Sequence, residues 1–111
     1  MSFNPGDIVL VDLGTIPSGH EQAGVRPGIV ISEEGGVVLL IPLSATAARL
    51  KFSGTVLLTP GTANRLSKPS VALVFQLRAV DSRRLLHQIG TLSAKEKRSV
   101  NKALRAVALI K

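Results

Sequence analysis

The chain has 111 residues and a mass of 11.7 kDa, of which 45% are hydrophobic and 19% charged. That is enough apolar material for one modest core, which excludes the disordered and low-complexity classes and predicts a single domain over 1–111. The net charge is +7, unevenly placed: residues 1–55 carry five acids and three bases, residues 56–111 eleven bases and two acids. A surplus of this kind favours a polyanionic partner such as nucleic acid or an acidic protein; the alternative is a basic surface that serves solubility alone.

The first apolar run, Ile8 to Leu13, follows Pro5-Gly6 and is short and rich in β-branched residues, so it reads as a strand. Gly14 to Gly24 (GTIPSGHEQAG) is a connection of eleven residues, long for so small a domain, and long connections often carry function. Gly28 to Ser32 reads as a second strand, and the glycines of Glu33-Glu34-Gly35-Gly36 turn the chain into a third, Val37 to Pro42, which pairs with the second as a hairpin. Ser44 to Phe52 is assigned as loop, Gly54 to Leu58 as a fourth strand and Thr59 to Pro69 as a turn-rich, basic connection. Ser70 to Arg78 (SVALVFQLR) is apolar almost throughout and reads as a central strand buried on both sides. Leu85 to Gln88 is a short sixth. Strands this short and this frequent predict a small barrel rather than an α/β layer fold.

Near the end of the chain the period changes. Ser93 and Glu96 fit a capping box, in which hydroxyl and carboxylate satisfy the first backbone N–H groups of a helix. Val100, Ala103, Leu104, Val107 and Ala108 follow at helical spacing and form one core-facing stripe, with Lys95, Lys97, Arg98, Lys102 and Arg105 on the remaining surface. The longest apolar stretch, Val37 to Leu43, is interrupted by Pro42 and falls far short of the roughly 20 residues of a membrane span. The N-terminus lacks the pattern of a secretion signal and there is no cysteine, so a cytoplasmic address is expected.

Several chemistries find no support. Neither His20 nor His87 has an acid or a second histidine at zinc-binding spacing, so no metal and no other cofactor is expected. The glycine-rich phosphate and dinucleotide loops and the serine-hydrolase elbow are missing. Phe3, Phe52 and Phe75 are the only aromatics, too few for a base-stacking platform, so nucleic acid would be held by charged and polar contacts.

The densest cluster of chemistry-bearing residues is Gly19-His20-Glu21-Gln22-Ala23-Gly24-Val25-Arg26-Pro27. Pro27 holds Arg26 extended and so fixes where the guanidinium leaves the backbone, and a guanidinium grips a phosphate through two parallel hydrogen bonds. The plainer reading is a surface ion pair between Glu21 and Arg26. Pro5-Gly6-Asp7-Ile8-Val9, then Glu21 to Pro27 leading into Ile29 to Ser32, then Pro42-Leu43-Ser44, resemble the MazF/PemK family of toxin endoribonucleases. Val74 to Leu85 (VFQLRAVDSRRL) is similar to that family's Gln-Ile-Arg-Thr-Ile-Asp segment, and Ile89-Gly90-Thr91-Leu92-Ser93 to its closing element.

The resemblance implies an SH3-like barrel of five to seven short strands with a C-terminal helix and short helical decorations. It also implies a homodimer, a cognate acidic antitoxin and metal-independent cleavage of single-stranded RNA. It places Arg26 and Ser44 at the active site. The sequence departs from the family pattern at Ser44, where Thr is usual, at Phe75, where an acid is common, and at His20, often a Ser.

Cleavage by the neighbouring 2′-OH needs a proton acceptor, a donor or cation at the phosphate, and an acid for the leaving 5′-oxygen. Arg26 suits the phosphate but is a poor base. Ser44 can donate to a phosphoryl oxygen, and His20 and Glu21 are the titratable candidates. Gln22, Thr46, Arg49, Lys51, Gln76 and Arg78 are the candidate RNA-binding residues, Gln76 through a base edge and the cations through phosphates. The alternative function is a non-catalytic module of the same fold that binds nucleic acid or an antitoxin.

Overall fold

The computed structural model describes residues 3–14, 24–45 and 54–109. Within them a curled antiparallel sheet, a half-barrel, is built from β1 (Asp7–Asp12), β2 (Val25–Glu34), β3 (Val37–Ser44), β4 (Thr55–Leu58), β5 (Ser70–Leu73), β6 (Arg78–Asp81) and β7 (Leu85–Thr91), followed by the helix α1 (Ala94–Leu109). The expected mainly β architecture with a C-terminal helix is therefore present. The strands run β4-β5-β3-β2-β1-β7, and β3 holds β2 along one edge while its other edge is shared, β6 pairing with residues 37–40 and β5 with residues 43–44. β2 and β3 form the expected hairpin, turned at Gly35-Gly36, both with positive φ.

Bulges bend this sheet. The β2–β3 register slips between Val30 and Ser32, and β1–β7 slips twice. Each extra residue adds local twist and lets the sheet curl around its own side chains. Its two faces each bury an apolar cluster. Ile8, Ile29, Ile41, Leu43 and Leu58 meet α1 through Val100, with Ala103, Leu104 and Val107 packed against them. Phe3, Val9, Val11, Val30, Val38, Leu40, Val80 and Leu85 fill the other. The helical stripe thus faces the core as its spacing predicts, except at Ala108, which is exposed. The capping box is formed: Ser93 N–H donates to Glu96 Oε1 at 2.8 Å and Glu96 N–H donates to Ser93 Oγ at 3.2 Å.

The strand expected over Ser70 to Arg78 is a misreading. β5 stops at Leu73, a 3-10 turn covers Val74–Gln76, and the chain re-enters the sheet as β6. β5 is wholly buried between β3 and β4, but Phe75 and Leu77 are exposed. An unbroken apolar run conceals the corner, because the turn closes through backbone groups, Leu77 N–H donating to Val74 O at 3.1 Å, and needs no glycine or proline. Ser44, read as the start of a loop, is the last residue of β3. Among the described residues no helix is long and apolar enough to cross a membrane.

Candidate active site

The β2–β3 ladder ends for a reason visible in its residues. Its last rung joins Gly28 to Pro42, and Pro27 follows on β2. Neither proline has an N–H to donate, so the ladder runs out at this point. Gly28 is required there, since a β-carbon on it would lie 2.7 Å from a methyl of Leu40 reaching across from β3. Two residues beyond that rung stand Arg26 on β2 and Ser44 on β3.

Alternate residues of a strand share a face, as do residues directly opposite in a ladder. Arg26 therefore shares the face of Gly28 and Val30, and Ser44 that of Pro42, Leu40 and Val38, which is the face of the second apolar cluster. Both side chains fall just past the last β2–β3 rung on this face, Arg26 exposed and Ser44 only 4% exposed. Arg78 opens β6 opposite Leu40 and so lies on the same face, about 13 Å along β3 from Ser44 at strand rise. Gln76 sits half-buried in the 3-10 turn beside it. The structure thus brings Arg26, Ser44 and Arg78 to one face, with Gln76 at its margin. His20, Glu21, Gln22, Thr46, Arg49 and Lys51 lie outside the described residues.

The end of β1 adjoins Arg26, which pairs with Val11. Leu13 N–H donates to Gly24 O at 2.9 Å and Gly24 N–H donates to Gly14 O at 2.7 Å, pinching the two ends of the long connection together. Gly14 and Gly24 have φ of +73° and +77°, a conformation in which any side chain is strained. Beside the pinch a concavity of about 450 Å³ is lined by Asp12, Asp81, Arg83, Arg84 and Leu86. Arg83 donates to both oxygens of Asp81, and these side-chain bonds, followed by the bond from Arg83 N–H, hold the Asp81 carboxyl at about 2 against its ordinary 3.8. Arg84 Nη1 donates to Asp12 O at 3.2 Å. No sequence signal points to Arg84 at this place, because its partner is 72 residues away.

A second cavity, of about 380 Å³, lies between β4, residues 59–64 and the start of α1. It stands apart from Arg26 and Ser44, and the amide of its buried Asn64 has partners on both atoms. Among the described residues no three His, Cys, Asp or Glu side chains group closely enough to hold a metal ion.

The family model described as PemK-like, MazF-like toxin of type II toxin–antitoxin system matches residues 4–108. The chain belongs to this family. It is 31% identical over 104 residues to the protein named endoribonuclease MazF of Staphylococcus saprophyticus, covering 89% of this chain and 85% of that relative. In fold it is similar to MazF from Deinococcus radiodurans, with a TM-score of 0.74, 24% identity and coverage of 95% and 94% of the two chains. It is also similar to a mycobacterial endoribonuclease solved in complex with its cognate antitoxin, with a TM-score of 0.76, 16% identity and coverage of 99% and 98%. The match to the PemK-like, MazF-like family spans β1 to β7 and nearly all of α1, so it includes every element that positions Arg26, Ser44, Gln76 and Arg78.

Proposed function

We propose that the chain is a toxin endoribonuclease that cleaves single-stranded RNA by attack of the 2′-OH on the adjacent phosphate. Attack forms a 2′,3′-cyclic phosphate and expels the 5′-oxygen, which leaves with a proton. Arg26 binds the phosphate and stabilises the charge that builds on its oxygens, and the Ser44 hydroxyl donates to one of them. Proton transfer falls to His20 and Glu21, since a guanidinium stays protonated at any working pH. What supports the reading is that Arg26 and Ser44 share one sheet face just past the last β2–β3 rung in a member of this toxin family.

Gln76 and Arg78, farther along the same face, extend the path for the strand: an amide for a base edge and a guanidinium for a phosphate. Thr46, Arg49, Lys51 and Gln22 are assigned to RNA on sequence grounds. The bases of the second half, including five on α1, supply long-range attraction for RNA or for the acidic antitoxin that neutralises the toxin. The active form in this reading is a cytoplasmic homodimer, and the exposed Val37 and Leu39 of β3 and Leu77 beside β6 provide apolar surface for a second copy.

Incubating the purified protein with a long RNA in EDTA tests the reading. Fragments ending in 2′,3′-cyclic phosphate or 3′-phosphate are expected. RNA left intact at high protein concentration would overturn it.

A further inference from the structure

The pinch at the base of the Gly14–Gly24 connection has a fastening that comes from far along the chain. Arg84 ends the 3-10 turn Ser82–Arg84, and its Nη1 donates to the carbonyl of Asp12 at 3.2 Å. Its guanidinium also lies over Gly14, where a β-carbon would stand 3.1 Å from Nη1. Asp12 in turn accepts the Gly14 N–H on Oδ1 at 2.9 Å. One residue therefore touches both the strand that enters the connection and the glycine that turns it.

The turn that presents Arg84 is itself held. Asp81 accepts the Arg83 N–H at 2.9 Å and both arms of the Arg83 side chain, and Ser82 N–H donates to Gly36 O at 2.9 Å. Arg83 is thereby engaged with Asp81, and Arg84 is the guanidinium directed to the pinch. Gly24, the far side of the pinch, is followed directly by Val25 and Arg26, and Val11, Arg26's rung partner on β1, pairs on its other side with Leu85, the neighbour of Arg84. Whatever fixes the pinch fixes both the start of β2 and the two ends of the segment that carries His20, Glu21 and Gln22.

We propose that Arg84 is a positioning residue for RNA cleavage: by clamping Asp12 and Gly14 it fixes the start of β2 and so the direction in which Arg26 presents its guanidinium to the phosphate. The proposal rests on the reading of Arg26 as the residue at the phosphate. A clamp of this kind acts on the rate of the chemical step, because small misplacements of reacting groups are costly, while RNA affinity is carried by many other cations.

The test is single-turnover cleavage and RNA affinity of Arg84→Met, Arg84→Lys, Gly14→Ala and Arg26→Ala, with hydrogen exchange at the Gly24 amide. Arg84→Met keeps the apolar stem and removes the donors; it is expected to slow cleavage about tenfold while RNA affinity stays within about twofold. Arg84→Lys, which keeps a cationic donor group but not the planar fork, recovers part of that rate. Gly14→Ala, which pushes a methyl into the guanidinium, gives a similar loss, and the double variant is no slower than the slower single one. Exchange at Gly24 N–H is expected to quicken in Arg84→Met.

An unchanged rate in Arg84→Met beside an inactive Arg26→Ala overturns the clamp and leaves the active-site reading standing. Weaker RNA binding with an unchanged rate also overturns it, by making Arg84 an RNA contact. If Arg26→Ala cleaves normally, the active-site reading fails, and unchanged exchange at Gly24 then overturns the clamp on its own.

Discussion

Two long connections leave this sheet, residues 13–24 between β1 and β2 and Thr59–Pro69 between β4 and β5, and they are held in opposite ways. The second is organised from within by Asn64, only 2% exposed. Its Oδ1 accepts from the N–H groups of Gly61 and Leu66, and its Nδ2 donates to Thr59 O and to Glu96 Oε2. Glu96 is the capping residue of α1, so one amide ties this connection to the helix start. The base of the first is closed by backbone bonds between Leu13, Gly14 and Gly24, with an arginine from 72 residues away laid across it. Closure through backbone groups makes no demand on the side chains between, and that is where His20, Glu21 and Gln22 stand. The side chains of the second connection build the fold; in the proposed reading, those of the first serve the chemistry.

That contrast predicts changes of different kinds at the two places. Arg26→Ala is expected to lower single-turnover cleavage about 300-fold, as loss of a group that stabilises developing charge does, with the thermal midpoint within about 2 °C of wild type. A large drop in the midpoint would instead place Arg26 among the structural residues. Gly90→Ala should do the reverse. A β-carbon there would run into the carbonyl of Asn64, backbone against backbone, so urea unfolding should show a loss of about 3 kcal/mol while cleavage per folded molecule stays at the wild-type rate.

Ser44→Ala removes one hydroxyl from a site only 4% exposed, and about a tenfold fall in rate is expected, with Ser44→Thr retaining activity. Equal rates for the alanine and threonine variants would take the hydroxyl out of the mechanism. The smallest effect belongs to Asp81→Asn. Its folded-state carboxyl is held at about 2, below the ordinary 3.8, so the stability it contributes is complete above 3.8 and disappears as pH falls through 2. Acid-unfolding curves of variant and wild type should converge at the acid end and separate slightly toward neutral pH, by little because the pair is exposed.

Much of the fold was legible because its signals are local. The capping box needs only Ser93 and Glu96, and the helical stripe only the spacing of Val100, Ala103, Leu104 and Val107. The strands at Ile8, Ile29 and Val37 announce themselves through β-branched runs between glycines and prolines. The corner at Val74–Gln76 was hidden because the apolar run of β5 continues into it through Phe75 and its hydrogen bond is backbone to backbone. Arg26 and Ser44 were legible as residue types within the family resemblance, and their common face follows from the β2–β3 register. Asn64, Gly90 and Arg84 were not legible, because each acts through a partner distant in sequence: Asn64 on Glu96, Gly90 against Asn64, Arg84 on Asp12. The charge division tells a similar story. The basic second half holds most of the cations, while the candidate reactive residues His20, Glu21, Arg26 and Ser44 lie in the slightly acidic first half.

The central claim is attack by the 2′-OH, and it is tested most directly by one substrate. Once a cleaved bond has been mapped, an RNA carrying a single 2′-deoxynucleotide on the 5′ side of that bond is incubated with the protein in EDTA. Cleavage at that bond should cease while other sites in the same molecule are cut as before. Continued cleavage at the deoxy position would contradict the account, since the attacking oxygen would be gone.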